Sequence, residues 1–197
     1  VKSLYSGWSH IYDFFIKIWL SYFVFNLEKD LKKFLKNNFK KQIEVLDLGC
    51  GTGVNLLKLK KLKIPIKKYT GVDLSPHMLK KASSKFKSKN IEFILSDLNE
   101  YKPGKSYDLI ISTWVLSHLD NPSDIVNKYY KQLKKNGNMV LVFQTEIKNH
   151  RVVNDLLNSV FKQFTAEFVP EKEVKKFPGN FKIYKKYLKG YASLIII

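Results

Sequence analysis

Three glycines at alternate positions, Gly49, Gly51 and Gly53, close the apolar run Val45-Leu46-Asp47-Leu48 and enclose Cys50 and Thr52. Glycine at this density makes a sharp turn and lets bare backbone approach a ligand, because any Cβ would fill that space. Twenty residues past Gly53, the run Tyr69-Thr70-Gly71-Val72-Asp73-Leu74 reaches a carboxylate at its end. A carboxylate so placed can accept hydrogen bonds from both hydroxyls of a ribose. The run Ile91 to Leu98 repeats the arrangement with Asp97. The glycine loop and the acid at the end of the next strand, Asp73, are together suited to an adenine nucleoside. The dinucleotide fingerprint needs its last glycine where Val54 stands here, so the spacing argues against a nicotinamide dinucleotide.

These residues need a scaffold of alternating strands and helices. Glu44 to Leu48 is too short for a helix and suits a first buried strand, and Val54 to Leu62 opens a helix. A second strand over Tyr69 to Leu74 leads to Ser75, a helix N-cap with Pro76 in the first position and Met78, Leu79 and Ala82 as its buried face. Strands three and four are expected over Ile91 to Leu98 and Tyr107 to Ser112, with Asp108 structural at the N-terminal end of the fourth. A helix from Asn121-Pro122 to Lys135 is then stopped by Asn136-Gly137, before a fifth strand from Asn138 to Phe143. Asn149 to Phe164 reads as a helix, and Phe181 to Tyr184 and Tyr191 to Ile197 read as closing strands joined near Gly190.

The Gly49/Gly51/Gly53 pattern, with Asp73, Asp97 and the strands that follow, resembles motif I and its companions in the class I S-adenosylmethionine-dependent methyltransferases, over roughly residues 43 to 145. The resemblance implies an α/β, Rossmann-like sheet of seven strands in the order 3-2-1-4-5-7-6, the last strand antiparallel, with helices on both faces. It implies S-adenosylmethionine as cofactor and S-adenosylhomocysteine as product. The implied cofactor residues are Asp47, Gly49, Cys50, Gly51, Gly53, Asp73, Leu74, Asp97, Leu98, Ser112, Thr113 and Trp114. Within that set, Asp97 accepts from the adenine amine, Leu98 offers its backbone N–H to the ring, and Ser112 to Trp114 emerge beside the sulfonium. Asp47 is expected to orient the glycine loop through backbone hydrogen bonds and to approach the cofactor's amino group. His118 is the candidate base, since imidazole titrates near neutrality. The alternative for His118 is a capping or packing role.

Ahead of the first strand, residues 1–42 read as a helical lid on a domain spanning 43–197. In Trp8 to Leu27, the polar residues His10, Asp13, Lys17 and Ser21 form one narrow stripe, and Trp8, Tyr12, Phe15, Trp19 and Tyr22 form an aromatic row at helical spacing. Asp13 and Lys17 interrupt the apolar run and argue against a transmembrane span. The Ser9-x-x-Tyr12-Asp13 pattern is similar to the N-terminal segment of quinone-biosynthesis and related lipid methyltransferases, which would put Tyr12 near the methionine end of the cofactor as a catalytic candidate. The other reading of Tyr12 is a plain core aromatic. His10 and Tyr5 are weaker acid–base candidates. Leu27 to Phe39 continues as a lysine-rich helix with Leu27, Leu31, Phe34 and Leu35 on one face.

Composition bounds the partners. The chain has 197 residues, enough for one domain with a full core, and a formal net charge of +18. Arg151 is the one arginine among the basic residues, whereas recognition of phosphate and guanine favours arginine's planar fork. The lysines are spread along the whole sequence, so compositional bias is the first explanation, with an anionic membrane surface next and RNA last. The single cysteine, Cys50, points to an intracellular, cytoplasmic protein and to a structural thiol. The aromatic lid favours a small or lipid-like acceptor. An RNA or protein methyltransferase, and a cofactor-binding protein without turnover, are the competing readings.

Overall fold

A computed structural model describes residues 25–146, 167–187 and 190–197 of the chain. Helix α1 (Phe25–Asn38) precedes β1 (Ile43–Leu48), α2 (Val54–Lys61), β2 (Ile66–Asp73), α3 (Pro76–Lys85), β3 (Ile91–Leu95) and β4 (Tyr107–Thr113). A 3-10 turn over Leu116–His118 leads to α4 (Pro122–Tyr130), β5 (Leu133–Gln144), the short α5 (Glu171–Val174), β6 (Ile183–Tyr187) and β7 (Ala192–Ile196). The strands form one sheet in the order β3-β2-β1-β4-β5-β7-β6, with β7 antiparallel to both its neighbours. The expected architecture is the observed one. The helix expected over Trp8 to Leu27 and the one over Asn149 to Phe164 lie on or almost wholly on residues outside the described set.

Alternate side chains of the central strands enter opposite layers. Val45, Leu109, Ile111, Val140, Val142, Leu194 and Ile196 face one core, shared with Leu56 and Leu59 of α2. Leu46, Leu48, Ile110, Met139, Leu141, Phe143 and Ile195 face the other, shared with Ile125, Val126 and Tyr129 of α4. Strands covered on both faces read as continuous apolar runs, and this is why β1, β4 and β7 were legible. The amphipathic α1 turns Leu27, Leu31, Phe34 and Leu35 into the first core, as its spacing predicts. Its polar side reaches the scaffold as well. Glu28 pairs with Lys58 of α2 at 2.7 Å, and Asp30 accepts hydrogen bonds from Tyr187 (2.7 Å) and Lys185 (3.0 Å) of β6.

The largest boundary difference from expectation lies between α4 and β5. Helix α4 ends at Tyr130 rather than Lys135, and β5 begins at Leu133 rather than Asn138. Tyr107 N–H donates to Gln132 O at 2.8 Å, so β4 captures the chain early. The register then slips between Tyr107↔Leu133 and Leu109↔Asn138, leaving an irregularity that contains Asn136-Gly137. A Cβ at Gly137 would lie 2.8 Å from Tyr107 O, so the glycine serves the close strand approach and not a helix stop. At the far end of β4, Asp108 accepts from Glu44 N–H and from Lys134 Nζ, both at 2.8 Å, the structural role expected of it.

Candidate cofactor cleft

The sheet order reverses between β1 and β4, and in open α/β sheets the crevice at such a switch point lies beyond the carboxyl ends of the strands. A cavity of about 330 Å³ occupies that place. Of the predicted residues, Gly49, Gly51, Asp73, Leu74, Asp97, Leu98, Thr113, Trp114 and His118 line it. Ser75, Met78, Asn99, Val115, Leu119 and Asp120 line it too and are not among the predicted cofactor or catalytic residues. Tyr12, with Tyr5 and His10, lies outside the described residues.

The glycine loop is held from beneath. Gly49 and Cys50 donate their N–H groups to Val72 O at 2.8 and 3.0 Å, which ties the end of β1 to β2. Gly49 has φ +67°, and a Cβ there would lie 2.3 Å from a Val115 methyl. Gly51 has φ +52°, but a Cβ there would meet nothing within 4 Å, because the position faces the cavity. The two glycines therefore answer to different constraints: packing for Gly49 and space for a ligand at Gly51. Gly53 is the N-cap of α2, and its missing side chain makes room for the Phe86 ring.

Asp73 is the carboxylate that organises the loop. Its Oδ2 accepts from Gly51 N–H and its Oδ1 from Ser75 N–H, both at 2.8 Å. Each oxygen keeps a further lone pair for a ligand hydroxyl. Burial raises its pKa, opposed by hydrogen bonds from the backbone of Ser75, Gly51 and Leu74. Asp97 closes a turn after β3, its Oδ1 accepting from Asn99 N–H at 2.7 Å and from Asn99 Nδ2 at 2.9 Å. Leu98 follows it, with its carbonyl accepting from Tyr129 OH (2.8 Å) and Lys128 Nζ (2.9 Å), so the backbone at this end of the cavity is fixed from α4.

Across the cavity, Trp114 takes φ +63°, a left-handed conformation uncommon for a bulky residue and found preferentially at functional sites. Its N–H donates to Val142 O at 2.7 Å, which holds the strained turn to β5. His118 follows on the 3-10 turn, half-buried and on the cavity wall. That turn is fastened to β5 by Ser117, whose hydroxyl donates to Gln144 Oε1.

Four predicted residues sit beneath the wall rather than on it. Ser112 is buried and donates to Leu48 O at 3.2 Å, joining β4 to β1. Cys50 is packed under Gly71, and burial pushes its thiol pKa well up, as a structural cysteine requires. Gly53 caps α2, as described above. Asp47 is fully buried, and its partners are side chains instead of the loop backbone expected of it. Its Oδ1 accepts from Asn55 Nδ2 at 3.0 Å, and its Oδ2 accepts from Tyr69 OH at 2.5 Å. The loop-orienting role belongs to Asp73, whose position at the end of β2 brings it beside Gly51. Only the paired register of β1 and β2 reveals this, because it sets Asp47 opposite Gly71 and leaves Asp73 beyond the end of β1.

Burial raises the Asp47 carboxyl from 3.8 to about 6, against the opposing hydrogen bonds from Tyr69 and Asn55. The folded chain thus keeps a proton that the unfolded chain has already lost. The stability linked to it is complete below pH 3.8 and is lost as pH rises to about 6. Asp47→Asn keeps the shape and removes the charge. In urea unfolding, the variant is expected to match the parent near pH ~4 and to exceed it by about 3 kcal/mol near pH ~7.

A seven-stranded, doubly wound sheet with a nucleoside-sized cleft at its switch point defines the class of protein. A family model described as "Methyltransferase domain" matches residues 39–177, and the chain belongs to that family, the class I S-adenosylmethionine-dependent methyltransferases. The malonyl-(acyl-carrier protein) O-methyltransferase of Acetivibrio thermocellus is 36% identical over 106 residues, covering 54% of this chain and 36% of that protein. The chain thus spans little more than a third of that relative's length. Among solved structures, a chain from the complex between the Haloferax volcanii Trm112 methyltransferase activator and a methyltransferase superimposes with a TM-score of 0.74 at 14% identity, covering 100% of this chain and 96% of that one. The magnesium protoporphyrin IX methyltransferase of Synechocystis PCC 6803 with bound S-adenosylhomocysteine gives a TM-score of 0.64 at 17% identity, covering 87% and 81%.

Proposed function

We propose that the chain binds S-adenosylmethionine in this cleft and transfers its methyl group to a small or lipid-like acceptor. The observation that carries the reading is one cavity with Asp73 and Asp97 towards one end, the unobstructed backbone of Gly51 in the middle and Thr113, Trp114 and His118 towards the other. The residues fit the cofactor. Asp73 takes the ribose hydroxyls, Asp97 and Leu98 take the adenine edge, and Gly51 gives the close backbone approach. When bound, the cofactor supplies a methyl group already activated on a sulfonium. The chain's own contribution is then chiefly alignment, an effect worth several kcal/mol or more. The His118 imidazole takes the proton of an acceptor that arrives protonated.

The names of relatives that act on malonyl-(acyl-carrier protein) suggest a carboxylate on a carrier-borne chain as one form of acceptor. No helix among the described residues is long and apolar enough to cross a membrane, and a cytoplasmic location fits a site that draws on a diffusible cofactor. A lid role for the residues ahead of α1, with Tyr12 over the methionine end, belongs to this reading, while α1 itself is packed into the core.

Calorimetric titration with S-adenosylmethionine, S-adenosylhomocysteine and NAD tests it. Binding of both sulfur nucleosides without NAD is the expected result. Incubation with methyl-labelled cofactor and candidate acceptors then identifies the class, with label extracted into an apolar phase for a lipid-like product. Failure of either sulfur nucleoside to bind the folded protein, or methylation confined to RNA, would overturn the proposal.

A further inference from the structure

The cofactor reading leaves a buried group without a task. Asp47 is fully inaccessible, so it touches nothing in the cavity, yet it sits at the carboxyl end of β1 directly under the glycine loop. A buried carboxylate is costly unless its oxygens are well supplied with donors. Tyr69 satisfies one oxygen from the β2 side, and Asn55, in the first turn of α2, satisfies the other. Asn55 is itself buried, with 3% of its surface exposed. Asparagine is a poor choice for a helix position unless its amide is in use.

The amide of Asn55 has a second neighbour. Its Nδ2 lies 3.1 Å and its Oδ1 3.2 Å from the hydroxyl of Thr113, the last residue of β4 and part of the cavity wall. Because the Asp47 carboxylate only accepts, it compels the amide to turn Nδ2 towards it, and this fixes the orientation in which Asn55 meets Thr113. A continuous chain therefore runs from Tyr69 through Asp47 and Asn55 to a hydroxyl at the cavity wall. When Thr113 donates to Asn55 Oδ1, its own oxygen presents a lone pair to the cavity.

The sheet locates this hydroxyl along a bound ligand. Asp73 ends β2, and Thr113 ends β4, two strands away across β1. At about 4.8 Å per strand, the separation is about 10 Å. A nucleoside held by its ribose at Asp73 and its base at Asp97 extends its remaining substituent over Gly51 towards Thr113.

Resting on the cofactor reading above, we infer that Asn55 is a positioning residue: held from behind by Asp47, its amide sets the Thr113 hydroxyl that receives the amino-acid end of the sulfur nucleoside. The negative charge behind the amide polarises the chain so that the Thr113 oxygen favours a donor, the ammonium of that end. Asn55 and Thr113 thus tell the complete cofactor from a bare nucleoside.

The test compares S-adenosylhomocysteine with adenosine by calorimetry in the parent, Asn55→Ala, Thr113→Val and Thr113→Ser, each first shown to be folded by its thermal melt. Adenosine reports on Asp73 and Asp97 alone. Asn55→Ala and Thr113→Val are expected to weaken S-adenosylhomocysteine about tenfold, the scale of one hydrogen bond, and to leave adenosine within about twofold. Thr113→Ser, which keeps the hydroxyl, is expected to retain the parent affinity for both. Equal losses for the two ligands, or unchanged S-adenosylhomocysteine affinity in Asn55→Ala, would overturn the inference. If Asn55→Ala does not fold, the threonine pair decides: a selective loss in Thr113→Val with rescue in Thr113→Ser supports it, and any other pattern refutes it. A parent that binds adenosine but no sulfur nucleoside would sink the cofactor reading itself, whereas a parent that binds both with an indifferent Asn55→Ala sinks only the inference.

Discussion

Asp73→Ala is expected to lower the affinity for S-adenosylhomocysteine by about 100-fold or more, read as the rise in dissociation constant by calorimetry. Two effects add. Hydrogen bonds from hydroxyls to a carboxylate contribute about 1.5–3 kcal/mol each, so losing the pair from a ribose alone reaches that figure. The variant also strips Gly51 N–H and Ser75 N–H of their acceptor, which loosens the loop against which the ligand would lie. Stability should fall by about 1–3 kcal/mol in parallel, because partly buried donors are left unpaired. Asp73→Asn separates the two. An amide retains one oxygen for the loop or the ligand, so its affinity should lie between those of the parent and the alanine variant. An Asp73→Ala protein that binds as tightly as the parent would remove the ribose role from this residue.

The second large effect falls on stability. Gly49→Ala places a Cβ 2.3 and 2.8 Å from the methyl groups of Val115 at φ +67°. A left-handed conformation costs a side-chain-bearing residue about 1–2 kcal/mol, and overpacking adds about 1–3 kcal/mol. The urea midpoint should therefore fall by the equivalent of about 2–5 kcal/mol. Gly51→Ala is the matched control, since its Cβ would enter open space. It should unfold within about 2 kcal/mol of the parent, the conformational strain alone, and instead lose ligand affinity. The reverse pattern, with Gly51 structural and Gly49 tolerant, would mean that the loop is built otherwise than described.

The motif residues and the sheet were legible because each rests on a local rule. Apolar runs bounded by glycine mark strands covered on both faces. The spacing of Leu27, Leu31, Phe34 and Leu35 marks a helix with one buried side, and Ser75-Pro76 marks a helix start confirmed by Met78 N–H donating to Ser75 Oγ. Nine of the residues drawn from the motifs reach one cavity because strand ends in a parallel sheet all open on the same edge. What stayed hidden depends on pairing between distant segments. The helix pattern ran on through Lys134-Lys135 because lysine is compatible with helix, and only capture by β4 ended it. Asp47, near the end of the first strand, reads as the residue that orients the glycine loop, and only its enclosure by Tyr69 and Asn55 shows otherwise. Asn55 carried no signal at all, since its partners stand 8 residues before it and 58 after it.

The division of the interior into two layers carries a consequence for how this sequence can change over time. Each central strand sends neighbouring residues to opposite cores, so Leu109 and Ile110, adjacent in the chain, share no side-chain environment. Substitutions whose side chains share no partners combine additively, while those in one packed layer need compensation. A lineage can therefore rework the α4 side, and any surface built on it, without renegotiating the layer that holds Asp47 and Asn55. The sheet separates two histories of drift within a single domain.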